Sequence, residues 1–543
     1  MSDMEERESE LSDSRWKTPK RTGTSAHGIV STAHKDATAA GVRILAEGGN
    51  AVDAAVAAAI ALGVCEPAAS GLGGQTMMMI HLARTRRTVA LDGSSRAPYR
   101  AAPGSLDSGE IRRGYRATTV PSTPATLEWA REHFGSMSMA KLAQPAIELA
   151  ADGYVISPLQ HALTKREAKH LRGYNAASVF LKDGKRPYPV GTTLKQPALA
   201  DTLRRLASKG VEDFYTGRIA RAIHRDMVAN GGLVQKEDLA QIPWPIERRP
   251  VGTHFGKWRV MTAPPPAAGP TLVEVLNILG HLPRKKLDPD TPEGAVLLSW
   301  VLQQAFQDRT DRPRDRHLYG QIRKRVALSD GYAREVANLL RRRRIRMPAT
   351  SGDTTHLSVV DGKGNFVALT QSIERVYGSC VMTPELGFLY NNYLMAYEHQ
   401  DFKHPYYLRP GGVPWASVAP AILFENGRAR AAIGSPGSER IVSAVSQVLL
   451  RMSRGYTAHE AIDAPRLHCS LAGKVSIEAA RVSDDVIDAL EETGFEIVER
   501  DPYSFYLGCV QLVQREGGRC TGVADPRRDG SARGPKDAPA QRV

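Results

Sequence analysis

The sequence has 543 residues, of which 42% are hydrophobic and 24% charged, and its formal net charge is +14. This is an ordinary globular composition with room for a large core, and no run of 18 apolar residues occurs, which excludes a transmembrane helix. The five cysteines form no CxxC pair and the histidines are scattered, so we expect reduced thiols, no metal site and no cofactor.

Residues 1–26 are polar, and we interpret them as a disordered leader. The first residues are acidic and lack an apolar stretch, so we expect no signal peptide and a cytoplasmic protein. The excess arginine lies mainly between residues 309 and 346, without a zinc finger or an aromatic RNA-binding motif beside it. We therefore expect a solvated basic face that attracts carboxylate substrates, with neither a nucleic-acid nor a membrane partner.

The first part of the chain alternates strands and helices. Strands are predicted at 28–32, 77–80 and 88–91, and helices at 37–47 and 54–64. Asn50 is a good N-cap for the second helix, whose apolar circumference predicts burial on every side. The glycine turn at 70–75 precedes a strand, so close approach of backbone to a site is favoured over phosphate binding.

Residues 117–240 have mainly helical spacing. Further on we predict a strand at 258–262, helices at 271–279 and 295–308, and a basic helical stretch at 322–344. After residue 354 the pattern is β-rich, with strands predicted at 355–361, 366–371, 387–389, 419–424, 428–433, 474–477, 506–513 and 520–524, helices at 441–451 and 458–461, and a disordered tail after about residue 528. Helices and strands on both sides of residue 354 predict sheets covered by helices.

The junction at residue 354 is the stretch that bears on chemistry. A basic run over 341–346 leads to Asp353-Thr354-Thr355-His356, which opens an apolar strand. A threonine pair at this place is ordinarily explained by β-propensity alone. The same pattern is typical of a self-cleaving hydrolase, in which a threonine hydroxyl attacks the preceding carbonyl and the freed α-amino group then serves as its base.

Several short motifs occur in one order along the chain. They lie at 48–55 (GGNAVDAA), 66–67 (EP), 70–74 (SGLGG), 214–217 (FYTG), 230–233 (NGGL), 264–266 (PPP), 305–309 (AFQDR), 354–361 (TTHLSVVD), 391–392 (NN), 434–437 (GSPG) and 524–527 (ADPR). In order and spacing, from about residue 27 to about 528, the chain resembles the gamma-glutamyltranspeptidase family.

The resemblance implies an N-terminal-nucleophile hydrolase with an α+β fold, a four-layer αββα sandwich. It implies self-cleavage between Asp353 and Thr354 into a large chain, 27–353 after the leader, and a small chain, 354–543, which stay associated as a heterodimer; a higher oligomer is left open. The family nucleophile matches Thr354, its supporting threonine is replaced by Ser372, and its two oxyanion-hole glycines correspond to Gly437 and Ser438.

The residues that hold the glutamyl group in the family are mostly replaced. Ser94 stands at the position of the arginine that binds the substrate carboxylate, with Arg96 two residues on. Met395-Ala396 stands where the family has the acidic residue that binds the α-amino group of the substrate, shortly after the retained Asn392. Glu374, which is followed by Arg375, stands where the family has an asparagine. Of the family's serine pair only one serine, Ser417, is retained.

These replacements predict an acyl hydrolase or transferase for a small carboxylate-bearing acyl group that is not a standard γ-glutamyl group, because the charge-assisted bonds to that group are lost. Arg96 and Arg375 suit a carboxylate without an amino group. Three alternatives stay open: a true γ-glutamyl hydrolase or transpeptidase with a rebuilt clamp, a carbon–carbon bond hydrolase of a biosynthetic pathway and, least favoured, a non-catalytic anion-binding scaffold.

Overall fold

The computed structural model describes residues 21–311, 326–340 and 354–536. Two antiparallel sheets of seven strands each stack at its centre. Sheet I contains, in spatial order, Ser531–Arg533, Gly28–Thr32, Thr355–Asp361, Phe366–Ser372, Gln75–Leu82, Arg87–Gly93 and Ile246–Arg248. Sheet II contains, in spatial order, Thr22–Ser25, Arg519–Ala524, Gln511–Glu516, Arg428–Gly434, Ala421–Glu425, Trp258–Thr262 and Val251–Phe255.

The central strands of sheet I are buried on both faces. Along Thr355–Asp361 every residue is buried, and successive side chains alternate between the two faces. Leu357 and Val359 belong to the core beneath the first helix layer, whereas Val360 belongs to the core between the sheets. Because both faces are buried, its polar side chains His356 and Ser358 form their hydrogen bonds inside the protein.

The first helix layer covers the outer face of sheet I. Its helices are Lys35–Ala46, Ala51–Cys65, Thr123–Phe134, Met139–Asp152, Pro158–Leu171, Ala177–Phe180, Pro197–Lys209, Glu212–Tyr215, Arg218–Ala229 and Lys236–Ala240. In the second of these every residue except Gly63 is buried. Its N-terminus carries a capping box, in which Asn50 accepts from the first-turn N–H groups and Asp53 accepts from the Asn50 N–H.

The second helix layer covers the outer face of sheet II. Its helices are Gly269–Gly280, Pro292–Asp311, Asp330–Leu340, Arg440–Ser453, Ala458–Asp463 and Asp484–Glu492. Short strands outside the main sheets are Leu467–Cys469, Lys474–Ile477 and Glu496–Glu499 in one sheet and the pairs Tyr154–Val155 with Thr193–Leu194 and Leu181–Lys182 with Arg186–Pro187. Helix, sheet, sheet and helix therefore follow one another as four layers, which confirms the predicted α+β αββα fold.

Two predicted disordered ends are partly ordered. Thr22–Ser25 pairs with Arg519–Ala524 at an edge of sheet II, and Ser531–Arg533 pairs with Gly28–Thr32 at an edge of sheet I. Each segment satisfies its backbone by extending an existing sheet, a tertiary contact that a polar composition does not reveal. The leader and tail predictions therefore do not hold for these residues, and their remainders, 1–20 and 537–543, lie outside the described residues.

Other differences concern single elements. The strand predicted at 387–389 is absent from the described structure, where Leu389 makes only an isolated bridge to Met382. The strand predicted at 506–513 begins later, at Gln511–Glu516, after a short 3-10 helix at Phe505–Leu507. The basic stretches 312–325 and 341–353, with Asp353 at the predicted cleavage site, lie outside the described residues.

All five cysteines are buried, and none forms a disulfide. Among the helices of the described ranges, none is both long and apolar enough to cross a membrane.

Candidate functional site

Four polar residues form a row across neighbouring strands of sheet I, at the end of the sheet where these strands meet Thr354. Thr355 pairs with Gln371, so the next step of the register places Thr354 opposite Ser372. Ser372 pairs with Gln75, and one further step places Ser94 opposite Gln75. Directly opposed residues of an antiparallel sheet have Cβ atoms about 5 Å apart on the same face. Thr354, Ser372, Gln75 and Ser94 therefore follow one another on a single face, which we call the polar row.

The polar row faces sheet II. His356, two residues after Thr354, lies against Gly434 of sheet II, where a Cβ atom would stand 2.2 Å from the imidazole Cε1. Ser358, two residues further, donates to the Gln511 carbonyl of sheet II at 3.0 Å. Thr354 continues this alternation at the strand entrance and is 3% exposed. Its hydroxyl is thereby directed toward the space between the two sheets.

His356 is held in a neutral, buried position beneath the row. Its Nδ1 is 2.8 Å from Thr370 Oγ1 and its Nε2 is 3.1 Å from Ser358 Oγ. Burial lowers the pKa of His356 to about 3. A neutral imidazole bonded on both nitrogens supports the strand entrance and is a poor candidate for proton transfer at neutral pH.

Thr355 points to the opposite face, toward the first helix layer. Its hydroxyl donates to Glu66 Oε2 at 2.5 Å, and Arg528 Nη1 donates to Glu66 Oε1 at 2.6 Å. The Arg528 guanidinium also stacks 4.4 Å from the ring centroid of Phe505. Glu66 and Arg528 thus hold the residue next to Thr354. The sequence motif at 66–67 did not reveal this role, and Arg528 lies just after the motif at 524–527.

A turn that follows sheet II offers free N–H donors at the same end of the molecule. The strand Arg428–Gly434 ends against His356, and the chain continues into Gly437 and Ser438, at φ +117° and +52°. Within the described residues, the N–H groups of Gly437 and Ser438 make no hydrogen bond. They precede the helix Arg440–Ser453, whose dipole favours negative charge at this end. Adjacent N–H groups in this setting form an anion-binding concavity.

Ser438 adopts a left-handed conformation without being glycine. Such a conformation costs of order 1–3 kcal/mol and persists only when the surroundings impose it. Here Ser435 Oγ accepts from the Cys509 N–H at 2.9 Å and donates to the Pro436 carbonyl at 2.7 Å, which fixes the start of the turn.

A buried ionic network lies behind this turn. Arg527 donates to both Glu478 oxygens at 2.7 Å, and Arg466 lies 2.5 Å from Asp525. Asp525 in turn accepts from the Val510 N–H at 2.8 Å. Burial opposes ionisation of Asp525, but the two arginines hold its pKa below the ordinary value. The network anchors the segment that carries Cys509, and the sequence motif at 524–527 gave no indication of this function.

Ser372 begins the sharp turn that carries the predicted binding residues. Its Oγ accepts from the Glu374 N–H at 2.8 Å, and Glu374 has φ +78°. The Tyr393 hydroxyl lies close to the side chains of Ser372 and Gln75. Burial, with the charge of Glu374, raises the pKa of Tyr393 well above its usual value, so Tyr393 is a neutral hydroxyl beside the row.

Arg375 follows in this turn as a half-buried cation. Its Nε donates to Met395 Sδ at 3.2 Å, and no carboxylate of the described residues forms an ion pair with it. Burial, together with the charges of Arg113 and Arg112, lowers the pKa of Arg375 despite the nearby Glu374. An environment that disfavours its charge is one in which a bound anion would be stabilised.

Asn392 positions this loop and is fully engaged in doing so. Its Oδ1 accepts from the Arg375 N–H at 3.1 Å, and its Nδ2 donates to the Arg112 carbonyl at 2.7 Å. Its side chain therefore connects two of the three arginines that surround the turn.

The residues of the predicted clamp at 94–96 differ in availability. Ser94 is buried, and its hydroxyl donates to Asp92 at 2.5 Å, while Asp92 is paired with Arg248 at 2.7 Å. Arg96 is half-buried, exchanges backbone hydrogen bonds with Val120, and has no side-chain partner in the ranges that the structure covers. Arg96, but not the Ser94 hydroxyl, is therefore free to meet an anion.

Ser417 lies on a separate loop. It is 8% exposed, and its neighbours bond to the 266–268 segment, through the Ala416 N–H to Pro266 and the Val418 carbonyl to Ala268.

The chain is similar to several known proteins over most of its length. The family model Gamma-glutamyltranspeptidase matches residues 37–534. A glutathione hydrolase proenzyme from Escherichia coli K12 is 31% identical, over 92% of this chain and 90% of its own length. An acylase ACY 1 proenzyme from Pseudomonas sp. V22 is also 31% identical, over 94% of both.

Among solved structures, the cephalosporin acylase from Bacillus halodurans superposes with a TM-score of 0.86 at 26% identity, covering 96% of this chain and 98% of its own. The Helicobacter pylori gamma-glutamyltranspeptidase matches with a TM-score of 0.53 at 32% identity, over 56% of this chain and 90% of its own.

Proposed function

This chain belongs to the gamma-glutamyltranspeptidase family and is an N-terminal-nucleophile hydrolase or transferase, and on that premise we propose that Thr354 is its nucleophile. Self-cleavage before Thr354 would separate a 353-residue and a 190-residue chain, which remain together as a heterodimer. The proenzyme names of the relatives support this processing.

Each step is assigned to a group of the site. The Thr354 hydroxyl attacks the substrate carbonyl, and the α-amino group freed by cleavage accepts its proton. The N–H groups of Gly437 and Ser438 stabilise the oxyanion, because they are unpaired in the described structure and stand at a helix N-terminus. Ser372, opposite Thr354 in the register, orients the nucleophile. As the C–N bond breaks, the protonated α-amino group gives this proton to the departing amine, which leaves the acyl group on the Thr354 oxygen. Water or an acceptor amine then attacks this ester and loses a proton to the α-amino group, which passes it to the departing Thr354 oxygen.

For the substrate we propose an amide of a short ω-carboxyacyl group, such as a glutaryl amide. The observation that carries this is the half-buried Arg375 guanidinium, which contacts Met395 where the family has an acid. Arg96 supplies a second available cation. A glutaryl group presents a carboxylate but no ammonium, so it uses these cations and leaves no charge unpaired. The acylase names of two similar proteins support such an acyl group.

A γ-glutamyl group is the second candidate. The glutathione hydrolase names of other relatives favour it, and the Glu374 carboxylate in the same turn could hold an ammonium. The two candidates differ by a single amino group on the acyl chain, so they can be separated with a matched pair of substrates.

The test compares glutaryl-p-nitroanilide, γ-glutamyl-p-nitroanilide and the uncharged pentanoyl-p-nitroanilide. We expect kcat/KM for the glutaryl compound to exceed the other two by at least about tenfold. Arg375→Gln should raise KM for the glutaryl compound by about 10- to 100-fold and leave the pentanoyl compound nearly unchanged. Arg428→Gln, at an exposed position, is the control. Preference for the γ-glutamyl compound would establish the second candidate instead.

A further inference from the structure

Gln75 occupies the centre of the polar row. It is the first residue of the strand Gln75–Leu82, pairs with Ser372, and is 2% exposed. Met77 and Met79, which share its face by alternation, belong to the core between the two sheets. The Gln75 side chain is therefore directed into the same inter-sheet space as Thr354.

The orientation of the Gln75 amide is determined by its neighbours. Its Oε1 accepts from the Ser95 N–H at 2.9 Å and from the Ser95 hydroxyl at 3.0 Å. A backbone N–H can only donate, so the atom facing Ser95 must be the oxygen. The Nε2 group consequently points away from Ser95.

Among the described residues, the Nε2 donor has no acceptor at ordinary hydrogen-bond geometry. The Tyr393 hydroxyl lies beside Gln75, close enough for a weak interaction with its side chain. A buried amide donor without an acceptor is unfavourable, and such groups in native structures ordinarily serve a ligand or a function.

The spacing from Thr354 matches a short acyl chain. Gln75 lies two strands from Thr354, and two strand spacings amount to about 9.5 Å. An attacked carbonyl about 3 Å from the nucleophile leaves room for a chain of four or five carbons before a hydrogen bond to Nε2. We propose that Gln75 is a substrate-contacting residue whose Nε2 donates to the distal carboxylate of the acyl group and so sets the length and polarity of the acyl group that is accepted.

This inference rests on the proposed function, because it concerns the acyl pocket of the same nucleophile. It adds a neutral donor to the two cations, Arg375 and Arg96. A distal carboxylate held by a cation and by Gln75 is fixed at two points, which distinguishes an acyl chain of the right length from a shorter or longer one.

Gln75→Glu is the discriminating variant. It keeps an oxygen for Ser95 and the shape of the side chain, but it replaces the Nε2 donor by a negatively charged acceptor. If Gln75 only supports Ser95, the variant should behave like the wild type. If Nε2 contacts the carboxylate, KM for glutaryl-p-nitroanilide should rise at least about 30-fold while kcat/KM for pentanoyl-p-nitroanilide changes by less than about threefold. Gln75→Met removes both the oxygen that accepts from Ser95 and the Nε2 donor, and it should also raise KM for the glutaryl compound.

Equal kinetics of wild type and Gln75→Glu on both anilides would overturn the inference, and so would an equal fall in kcat on both. Processing on a denaturing gel and the melting temperature verify that the variant folds. If the wild type turns over no anilide, the proposed function fails, and thermal-shift titration with glutarate then decides separately on Gln75. Stabilisation of the wild type but not of Gln75→Glu supports the contact, and equal or absent stabilisation contradicts it.

Discussion

The Thr355 hydroxyl donates a 2.5 Å hydrogen bond to the Glu66 carboxylate, although 289 residues separate the two. Glu66 is the C-cap of the helix Ala51–Cys65, which is buried except at Gly63, and Thr355 follows the proposed nucleophile. After cleavage before Thr354 the two residues would belong to different chains. The bond would then hold the new amino terminus of one chain to the core of the other, which ties the position of Thr354 to the stability of the heterodimer.

Glu66→Gln should therefore weaken the complex and displace the nucleophile. Loss of the charge-assisted bonds to Thr355 and Arg528 should lower the free energy of unfolding by about 1.5–3 kcal/mol and reduce kcat more than KM. Glu47→Gln, which removes only surface ion pairs with Arg43 and Lys141, should cost less than about 1 kcal/mol. Urea denaturation and steady-state kinetics of both variants provide the comparison. Equal effects of the two substitutions would show that the bonds of Glu66 contribute no more to stability and turnover than the surface ion pairs of Glu47 do.

Ser372→Ala should impair chemistry while sparing substrate binding. The substitution removes the acceptor of the Glu374 N–H and the hydroxyl opposite Thr354. We expect kcat to fall by about 100-fold with little change in KM, whereas Ser372→Thr, which retains a hydroxyl, should stay within about tenfold of the wild type. A Ser372→Ala enzyme with wild-type kcat would remove Ser372 from the mechanism.

Ser438→Gly should stabilise the protein and keep it active. Glycine adopts φ +52° without strain, and the N–H group proposed to bind the oxyanion is retained. A gain of about 1 kcal/mol in the free energy of unfolding is expected. Ser438→Val, with a β-branched side chain at the same φ, should lower both stability and activity. Differential scanning calorimetry and kcat measured on the two variants check this, and destabilisation by glycine would count against backbone strain at Ser438.

Stability should depend on pH through His356. Its pKa is about 3 in the folded protein, well below the ordinary 6.5, so the unfolded chain gains a proton that the folded protein does not. Above pH 6.5 both states are neutral, and stability is lost as the pH falls from there toward 3, by up to about 1.4 kcal/mol per pH unit.

His356→Gln removes this titration and keeps polar atoms near Thr370 and Ser358. Between about pH 7.5 and about pH 5, the wild type should lose about 2 kcal/mol more unfolding free energy than the variant. Urea midpoints at the two pH values supply the measurement, with Thr354→Ala as the background so that a single chain unfolds. Parallel losses in the two proteins would mean that His356 titrates normally.

The sequence predicted several strands with the observed bounds, because a buried face imposes a local pattern of apolar residues. These strands are Gly28–Thr32, Trp258–Thr262, Thr355–Asp361 and Lys474–Ile477. The edge strands Thr22–Ser25 and Ser531–Arg533 were missed, since their polar composition carries no such pattern and their order comes from pairing with strands distant in sequence.

In the candidate site, too, features with a local sequence pattern were predicted, whereas features that depend on strand pairing were not. Motif resemblance pointed to Thr354 and Gly437, and a departure from the family motif pointed to Arg375. The polar row, in contrast, depends on strand register, which a single sequence does not specify. Gln75 and Glu66 were therefore not assigned roles, although both lie in motifs or turns that the sequence singled out. Ser94 was assigned to binding, yet its hydroxyl is bonded to Asp92, a contact visible only in three dimensions.

In the proposed mechanism, Thr354 is a nucleophile released by self-cleavage. Intact mass measurement and N-terminal sequencing of the purified wild type and of Thr354→Ala test it most directly. The wild type should yield two associated chains, the smaller with 190 residues beginning Thr354-Thr355-His356, and Thr354→Ala should remain one chain. A wild type that stays intact on prolonged incubation, a small chain that begins at another residue, or equal cleavage of Thr354→Ala would show that Thr354 is not the self-released nucleophile.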